Sequence, residues 1–470
     1  MSESEQIAAA PPQDSTPNQV MDEETRLRPE FVDRVLDAVE AGDDETAREL
    51  VRPLHPADVA DLIELARRDE REGLVKALAG IVSPEVLAEL NDYVREDLLD
   101  ELEPQQVADI AAQLETDDAV ALIEDLDRDE QQAVLERMEP DDRAAVEEAL
   151  SYPEESAGRL MQRDLCAVPE HWNVGQVIDY LRSTRDLPDD FWEVFVVNPN
   201  HHPVGTCKLS LILRMPRKTL VSDIMQREQT LIPVDMDQED VALRFQKYAL
   251  VSAAVTDDSG RLVGMITVDD IVHIIQQEAG EDITLLSGAG EGDINEPIRM
   301  TVRTRVVWLI INLGATICSA SVVGLFQGEI RKYAILAALM PMVSALGGNA
   351  GTQTLAVVVR ALATNQLTSS NTAWMLLREF RIAIANGIAL GLVGAVGTFL
   401  VLHDLQLSMV FAAALVINSL VAGLVGVLVP VSLDKVRVDP AVSSAVFVTT
   451  ITDVMGFFSF LGLAALFLTR

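Results

Sequence analysis

From about residue 306 onward the sequence is a series of apolar runs, and these limit the fold more than any other feature. In lipid every backbone N–H and C=O needs an internal partner, so a run that crosses a bilayer becomes a helix unless it closes into a barrel. The last run, 441–468, has 28 residues. At a rise of about 1.5 Å per residue, a helix of that length crosses a hydrocarbon core of about 30 Å. Five runs read as spans, at about 306–326, 333–363, 382–402, 409–433 and 441–468. Arg299, Arg303, Arg305, Arg360, Arg378, Arg381, Lys435 and Arg437 fall on one side of them, against Arg331, Lys332 and Arg470 on the other. The positive-inside rule then puts the amino-terminal part in the cytosol and the carboxyl end outside, a split that five spans require.

The last run carries one ionisable residue, Asp453, near its middle. A carboxylate at that depth costs about 2.5–3.5 kcal/mol on insertion scales, and its own run has no cation nearby to offset this. It is either a structural group, bonded to a neighbouring helix or paired with Arg360, or it faces a wet, cation-conducting path. Intramembrane acids are functional by default, so the second reading is the expectation.

The second run contains Pro341-Met-Val-Ser-Ala-Leu-Gly347-Gly348-Asn349-Ala-Gly351-Thr352-Gln353-Thr354. Pro and paired Gly predict a loosened backbone, tolerated at depth only beside protein or a water-filled cavity. Asn349, Thr352 and Gln353 offer neutral oxygen ligands there. Close packing through small residues, with Asn and Gln bonding between helices, is the alternative. Together with Asp453 the donor set is all oxygen, which suits Mg²⁺ or Ca²⁺ and not a thiol-seeking metal. So few ligands fit a largely hydrated Mg²⁺ held through its waters. A dimer would present two copies of Asp453 to one axial ion. The chain has no GxxxxGK[ST], and inward movement of two charges gains about 4.6 kcal/mol per 100 mV without an ATPase.

Composition supports a cation partner. The 470 residues hold 74 acidic and 36 basic side chains, a net charge of −38. From Val306 on there are six acidic and eight basic residues, which leaves 68 and 28 before it, a net of −40. Such a surface repels nucleic acid and attracts divalent cations. Cys166, Cys207 and Cys318 give no CxxC and no disulfide framework. No nucleophile–base pair or HxxxH is visible, so an enzyme is not expected. Residues 1–28 are polar and Pro-punctuated; disorder and no cleaved signal peptide are the expectation.

Two repeats organise the acidic part. From Leu54 a phase recurs every twelve residues, through Ala66, Leu78, Leu90, Leu102, Leu114, Leu126, Met138 and Leu150. Pro or an acid after these positions marks helix starts, which predicts short stacked helices. Acid pairs such as Asp117-Asp118 and Asp141-Asp142 read as helix starts before metal ligands. After residue 155 a unit of about sixty residues is duplicated: Val168-Pro169 reappears as Ile232-Pro233, and Val204-Gly205 as Val263-Gly264. The strand–helix order resembles a tandem pair of CBS modules. The second copy has Gly264-Met-Ile-Thr267-Val-Asp-Asp270, which matches the pattern that holds a nucleotide's phosphate and ribose; the first has Lys208 and Leu211 at those places. A purely structural pair stays open. In the connecting segment Glu278, Glu281 and Asp282 share one helix face, where a bound cation or plain solvation would relieve them.

The order of acidic repeats, tandem CBS, acidic connecting helix and five spans resembles the MgtE family of magnesium channels. Glu278-Ala-Gly-Glu281-Asp282, the Pro341 to Gln353 motif and Thr452-Asp453-Val-Met-Gly456 carry the likeness, from about Glu30 to the end. It implies a multidomain chain: an all-α superhelical amino-terminal domain (29–155), an α/β tandem CBS pair (156–275), a plug helix (276–300) and a five-helix transmembrane domain (301–470). It further implies a homodimer in the plasma (inner) membrane with no obligatory protein partner, and Asp453 as the selectivity carboxylate of an axial pore lined by Asn349. Asp270, Glu278, Glu281 and Asp282 would be regulatory Mg²⁺ ligands, with Asp439 at the cytosolic mouth facing the plug. Thr267 and Asp270 are the candidate ATP contacts. The competing readings are an ion-coupled secondary transporter of Mg²⁺ or Co²⁺ regulated by nucleotide, and a nucleotide sensor with a membrane anchor; five spans with a buried acid exceed what anchoring needs.

The chain departs from the family pattern at His273, where another Asp is usual, and at Ala249-Leu250, where an acid is missing. Calorimetric titration of the soluble fragment is therefore expected to give fewer Mg²⁺ sites than the family's full set. A full count would contradict this.

Overall fold

The twelve-residue phase sets where the first helices begin. In the computed structural model, which describes residues 20–23, 25–100, 102–184, 187–188, 191–288, 294–442 and 444–468, α1 (Pro29–Glu40) and α2 (Asp44–Val51) precede the repeat. The expectation of disorder thus falls largely outside the described residues. The repeat supplies α3 (Pro56–Leu65), α4 (Arg68–Ala77), α5 (Pro84–Ala88), α6 (Asp92–Leu99), α7 (Pro104–Ala111), α8 (Thr116–Glu124), α9 (Arg128–Leu135) and α10 (Pro140–Leu150). All of these but α5 open two residues after a phase position. Pro at the start of α3, α5, α7 and α10 fixes φ where no N–H is needed. The phase residues lie in or against one apolar core with Val59, Leu62, Leu122 and Ile123. After Leu78 the chain turns through Gly80, at φ +87°, and α5 starts late.

A second periodic device was hidden in the sequence. Arg71 donates to the carbonyl of Ala66 at 3.1 Å, Arg95 to that of Leu90 at 3.1 Å, and Gln131 to that of Leu126 at 2.9 Å. Each reaches back five residues and satisfies a carbonyl at the end of the preceding helix.

The duplicated region forms two three-stranded sheets of the same topology. The first orders β1 (Ala167–Pro169), β2 (Glu193–Val197) and β3 (Pro203–Lys208), with α11 (Val174–Ser183) inside it and α12 (Leu209–Ile212) after it. After α13 (Val221–Ile224), the second orders β4 (Leu231–Pro233), β5 (Ser252–Thr256) and β6 (Leu262–Thr267), with α14 (Gln238–Tyr248) inside. In each the first pair is parallel, the second antiparallel, and Val196 faces Gly205 as Val255 faces Gly264. A Cβ on either glycine would meet the carbonyl of Gln226 or of Gln162 at 2.8 Å, so the close backbone crossing needs glycine. Phe195, Val197, Ala254, Leu262 and Met265 join the two modules in a shared core. The helix α15 (Val268–Ser287) follows β6.

The chain divides into two units, Met1–Ile274 and Ile275–Arg470. Five helices of the second are long and apolar enough to cross a membrane: α16 (Ile298–Leu325), then, after the short α17 (Gln327–Lys332), α18 (Ile335–Ala363), α19 (Thr372–Leu402), α20 (Leu405–Lys435) and α21 (Ser444–Phe467). The multidomain fold is thus a helical amino-terminal domain, an α/β CBS pair and a five-helix membrane domain. α20 packs against α18, α19 and α21, while α16 touches α21 and buries little.

Two expectations need correction. α18 is helical throughout despite Pro341 and Gly347-Gly348. Its glycines do not loosen it; they admit neighbours. A Cβ on Gly351 would lie 2.6 Å from Val448, and one on Gly426 would lie 2.9 Å from the Gly351 carbonyl. α19 begins ten residues before the expected 382, because Thr372–Arg381 is helical as well, which takes Arg378, Glu379 and Arg381 out of the loop.

Leu122 is fully buried in α8 beside the acids of its first turn. Leu122→Ala is expected to destabilise the helical repeat by about 2–5 kcal/mol in chemical denaturation. The exposed Glu49→Ala should stay within about 0.5 kcal/mol of wild type.

Candidate functional site

In the membrane domain the site starts from Asp453 on α21. Its side chain is half-buried, and its Oδ1 accepts a hydrogen bond from the Ser344 hydroxyl on α18. Among the described residues it forms no ion pair, so Arg360 does not neutralise it. Ser344 can come this close because Gly351 lets α21 approach, with Val448 against it. The sequence motif contained Ser344 without singling it out; its signal was a hydroxyl one turn before the glycine pair. Asn349 is exposed, and five residues from Ser344 place it about 140° further round the helix. Thr352 bonds the Asn349 carbonyl at 3.1 Å. One chain therefore does not gather Asn349 with Asp453.

A second acid of the bundle, Glu379, is buried and went unread because it was expected in a loop. Its Oε1 accepts from Arg378 at 2.7 Å and its Oε2 from Thr354 at 3.3 Å. A cavity of about 190 Å³ lies beside it, lined by Gln353, Thr354, Asn386 and Ser419 among others. Both oxygens of this carboxylate are satisfied, and its charge is paired.

At the inner end of the bundle, Leu285 and Leu286 of α15 pack with Leu355, Val359 and Val448. Glu278, Glu281 and Asp282 are each part-buried on α15. Burial holds the Asp282 carboxyl above its usual range, and the nearby Asp439 charge adds to the shift. Asp439 itself is exposed and accepts from the Ala441 amide at 2.7 Å.

In the first unit a third group of acids forms around Asp270. Its Oδ2 accepts from the Thr267 hydroxyl at 2.6 Å, which brings the two expected nucleotide contacts together. Gln162 bonds Glu115 and lies 3.5 Å from Asp270. Burial, then the charges of Asp270, Asp118 and Asp269, push Glu115 up to about 7, although it keeps an edge in water. Burial and Asp270 likewise push Asp118 up to about 6, against the opposing pull of Arg95 and His273. Asp117 is raised well above the ordinary range by burial and by Asp270, and its Oδ1 is buried without a hydrogen-bond partner among the described residues. Asp270 is raised by burial too, with the Thr267 bond working the other way. Asp117 and Asp118 do start α8, as read, but they also face the second CBS module; 152 residues of separation hid this. Among the described residues no three His, Cys, Asp or Glu side chains make a ready-formed metal site. A hydrated ion, held partly through water, is what such looser acids can take.

These shifts have a sign. A carboxyl raised in the fold keeps a proton that the unfolded chain releases, so its contribution is full below about pH 4.5 and is lost as pH rises to about 7. Without divalent cations, the first melting transition of the detergent-solubilised chain is expected to fall between pH 5 and pH 8. Glu115→Gln with Asp118→Asn should flatten that fall. A melting temperature indifferent to pH would contradict it.

Comparison with known proteins agrees with this architecture. The divalent cation transporter family MgtE matches residues 340–463, the MgtE intracellular N domain matches 54–155, and a CBS domain matches 221–277. The magnesium transporter MgtE of Enterococcus faecalis is 31% identical over 68% of this chain and 70% of its own length. That of Bacillus subtilis is 30% identical over 68% and 71%. Among solved structures, the cytosolic domain of the Mg²⁺ channel MgtE in complex with ATP is 28% identical with a TM-score of 0.48, over 52% of this chain and 99% of that one. The chain belongs to the MgtE family of magnesium transporters.

Proposed function

We propose that the protein is a Mg²⁺-selective channel that passes the ion into the cytosol down its electrochemical gradient, as a homodimer with Asp453 as the pore carboxylate. One observation carries this reading: a mid-span carboxylate with a hydroxyl partner and, among the described residues, no cationic one. Its unspent charge attracts a cation, and its few neighbours suit an ion that keeps most of its waters. Asn349, on the open side of α18, would line the same path once a second copy is present. The flanking arginines support cytosolic acidic domains and an external carboxyl end in an inner membrane.

The acids outside the membrane support regulation by cytosolic Mg²⁺. Asp270 with Glu115, Asp117 and Asp118, and Glu278, Glu281 and Asp282 with Asp439, are the residues that would hold it. The orphaned Asp117 Oδ1 and the like-charge crowding fit a divalent cation. Bound there, Mg²⁺ supplies the positive charge that lets these carboxylates stay ionised side by side. Ionised without it, they repel one another and favour separation of the elements that carry them. ATP at Thr267 and Asp270 would share the Asp270 carboxylate with that site.

Uptake into proteoliposomes tests the pore. Asp453→Asn and Asp453→Ala are expected to lower Mg²⁺ flux at least tenfold at equal amounts of inserted protein. Wild-type flux through Asp453→Asn would overturn the reading. Flux that collapses under a proton ionophore at clamped voltage would favour ion-coupled transport instead.

A further inference from the structure

We propose that Asn418, in the middle of α20, is a positioning residue that sets the Asp453 carboxylate and its Ser344 partner at the same height, so that ion selectivity depends on a residue that never meets the ion. The proposal rests on the reading of Asp453 as the pore carboxylate.

Asn418 is 1% exposed, and its Nδ2 donates to the Val343 carbonyl of α18 at 2.9 Å. Val343 is the residue before Ser344, whose hydroxyl holds Asp453. On its other side the amide presses on α21: a Cβ on Gly456 would lie 2.8 Å from Nδ2. A Cβ on Gly347 of α18 would collide with the same nitrogen. The amide therefore fills a notch left by two absent side chains, one on each of the helices that carry the polar motifs. Gly456 lies about one helical turn beyond Asp453. The notch and the hydrogen bond sit directly against the two groups whose contact forms the site.

Simple filling does not explain an amide here. Its Oδ1 is buried with no hydrogen-bond partner among the described residues, a penalty that an apolar side chain would avoid. Turning the amide over would set Oδ1 against the Val343 oxygen, acceptor against acceptor, so the donor orientation is the one the site allows. A buried polar group kept at a cost, bonded to one backbone carbonyl, is how packed helices specify register. A slip of one residue along either helix moves a side chain by about 1.5 Å and turns it by about 100°, which would separate Ser344 from Asp453.

The test compares Mg²⁺ and Ca²⁺ flux through the full chain in proteoliposomes. Asn418→Leu is close to Asn in shape but lacks the donor, Asn418→Ala lacks both donor and volume, and Gly456→Ala displaces the amide while keeping it. Each is expected to lower the Mg²⁺-to-Ca²⁺ flux ratio at least fivefold at equal inserted protein. Gly462→Ala and Gly397→Ala, whose added carbon meets nothing within 4 Å, should keep the wild-type ratio. A wild-type ratio in Asn418→Leu would mean that volume alone matters and would overturn the proposal. If the Asn418 variants do not insert, a wild-type ratio in Gly456→Ala overturns it equally. An Asp453→Asn arm separates the two layers. If that variant keeps its ratio, the pore reading fails and this proposal falls with it; if it loses selectivity while Asn418→Leu does not, the positioning proposal alone fails.

Discussion

An uncompensated charge in a low-dielectric layer is the constraint on which the membrane half of this molecule depends. Glu379 lies buried and Asp453 half-buried among its helices, and they resolve the constraint in opposite ways. Glu379 takes a guanidinium on one oxygen and a hydroxyl on the other, so its charge and its lone pairs are met inside one subunit. Asp453 takes one hydroxyl. A hydrogen bond to a charged group contributes about 1.5–3 kcal/mol, which at most matches the insertion cost and leaves the charge itself unpaired. Water or a mobile cation has to complete it. The contrast separates a structural acid from a candidate pore acid more firmly than depth in the membrane does.

The cytosolic acids face the same problem without lipid. Glu115, Asp117, Asp118 and Asp270 crowd one another in a partly buried place, and their carboxyls rise toward neutrality as a result. Two kinds of positive partner can relieve the crowding, a proton or a metal cation. With Glu115 pushed up to about 7 and Asp118 to about 6, a proton and a metal ion at the proposed site would compete in the physiological range. Arg95 is already committed, since it also pairs with Asp125 at 2.7 Å and caps the Leu90 carbonyl. It moderates the cluster without neutralising it.

What could be read from the sequence was what repeats. The twelve-residue phase located seven of the eight repeat helices because each turn reuses the same core position, and the sheet duplication announced itself through paired Val-Pro or Ile-Pro starts and Val-Gly closes. Apolar length found five spans. Features that depend on a distant partner were not legible. Gly347 looks like a helix breaker until Asn418 is seen filling its place, 71 residues on. Arg378 and Glu379 look like loop charges until Thr354 is seen across from them. Ser344 is one hydroxyl among several until α21 is packed against it. In each case one segment carries the residue and another carries its reason.

His273 brings these threads together. It stands one turn after Asp270, where the family pattern favours a further acid, and its influence lowers the carboxyls of both Asp118 and Asp270. A carboxylate there would have raised them and strengthened the pull on a cation. An imidazole offers no negative charge in either of its forms, and it opposes the rise of the neighbouring carboxyls. The proposed cation site would thereby be weaker than one with a carboxylate at that place. At the proposed regulatory site, a side chain that is neutral or cationic in place of a further acid would offer a divalent cation no attraction of its own, so the remaining carboxylates would have to hold it.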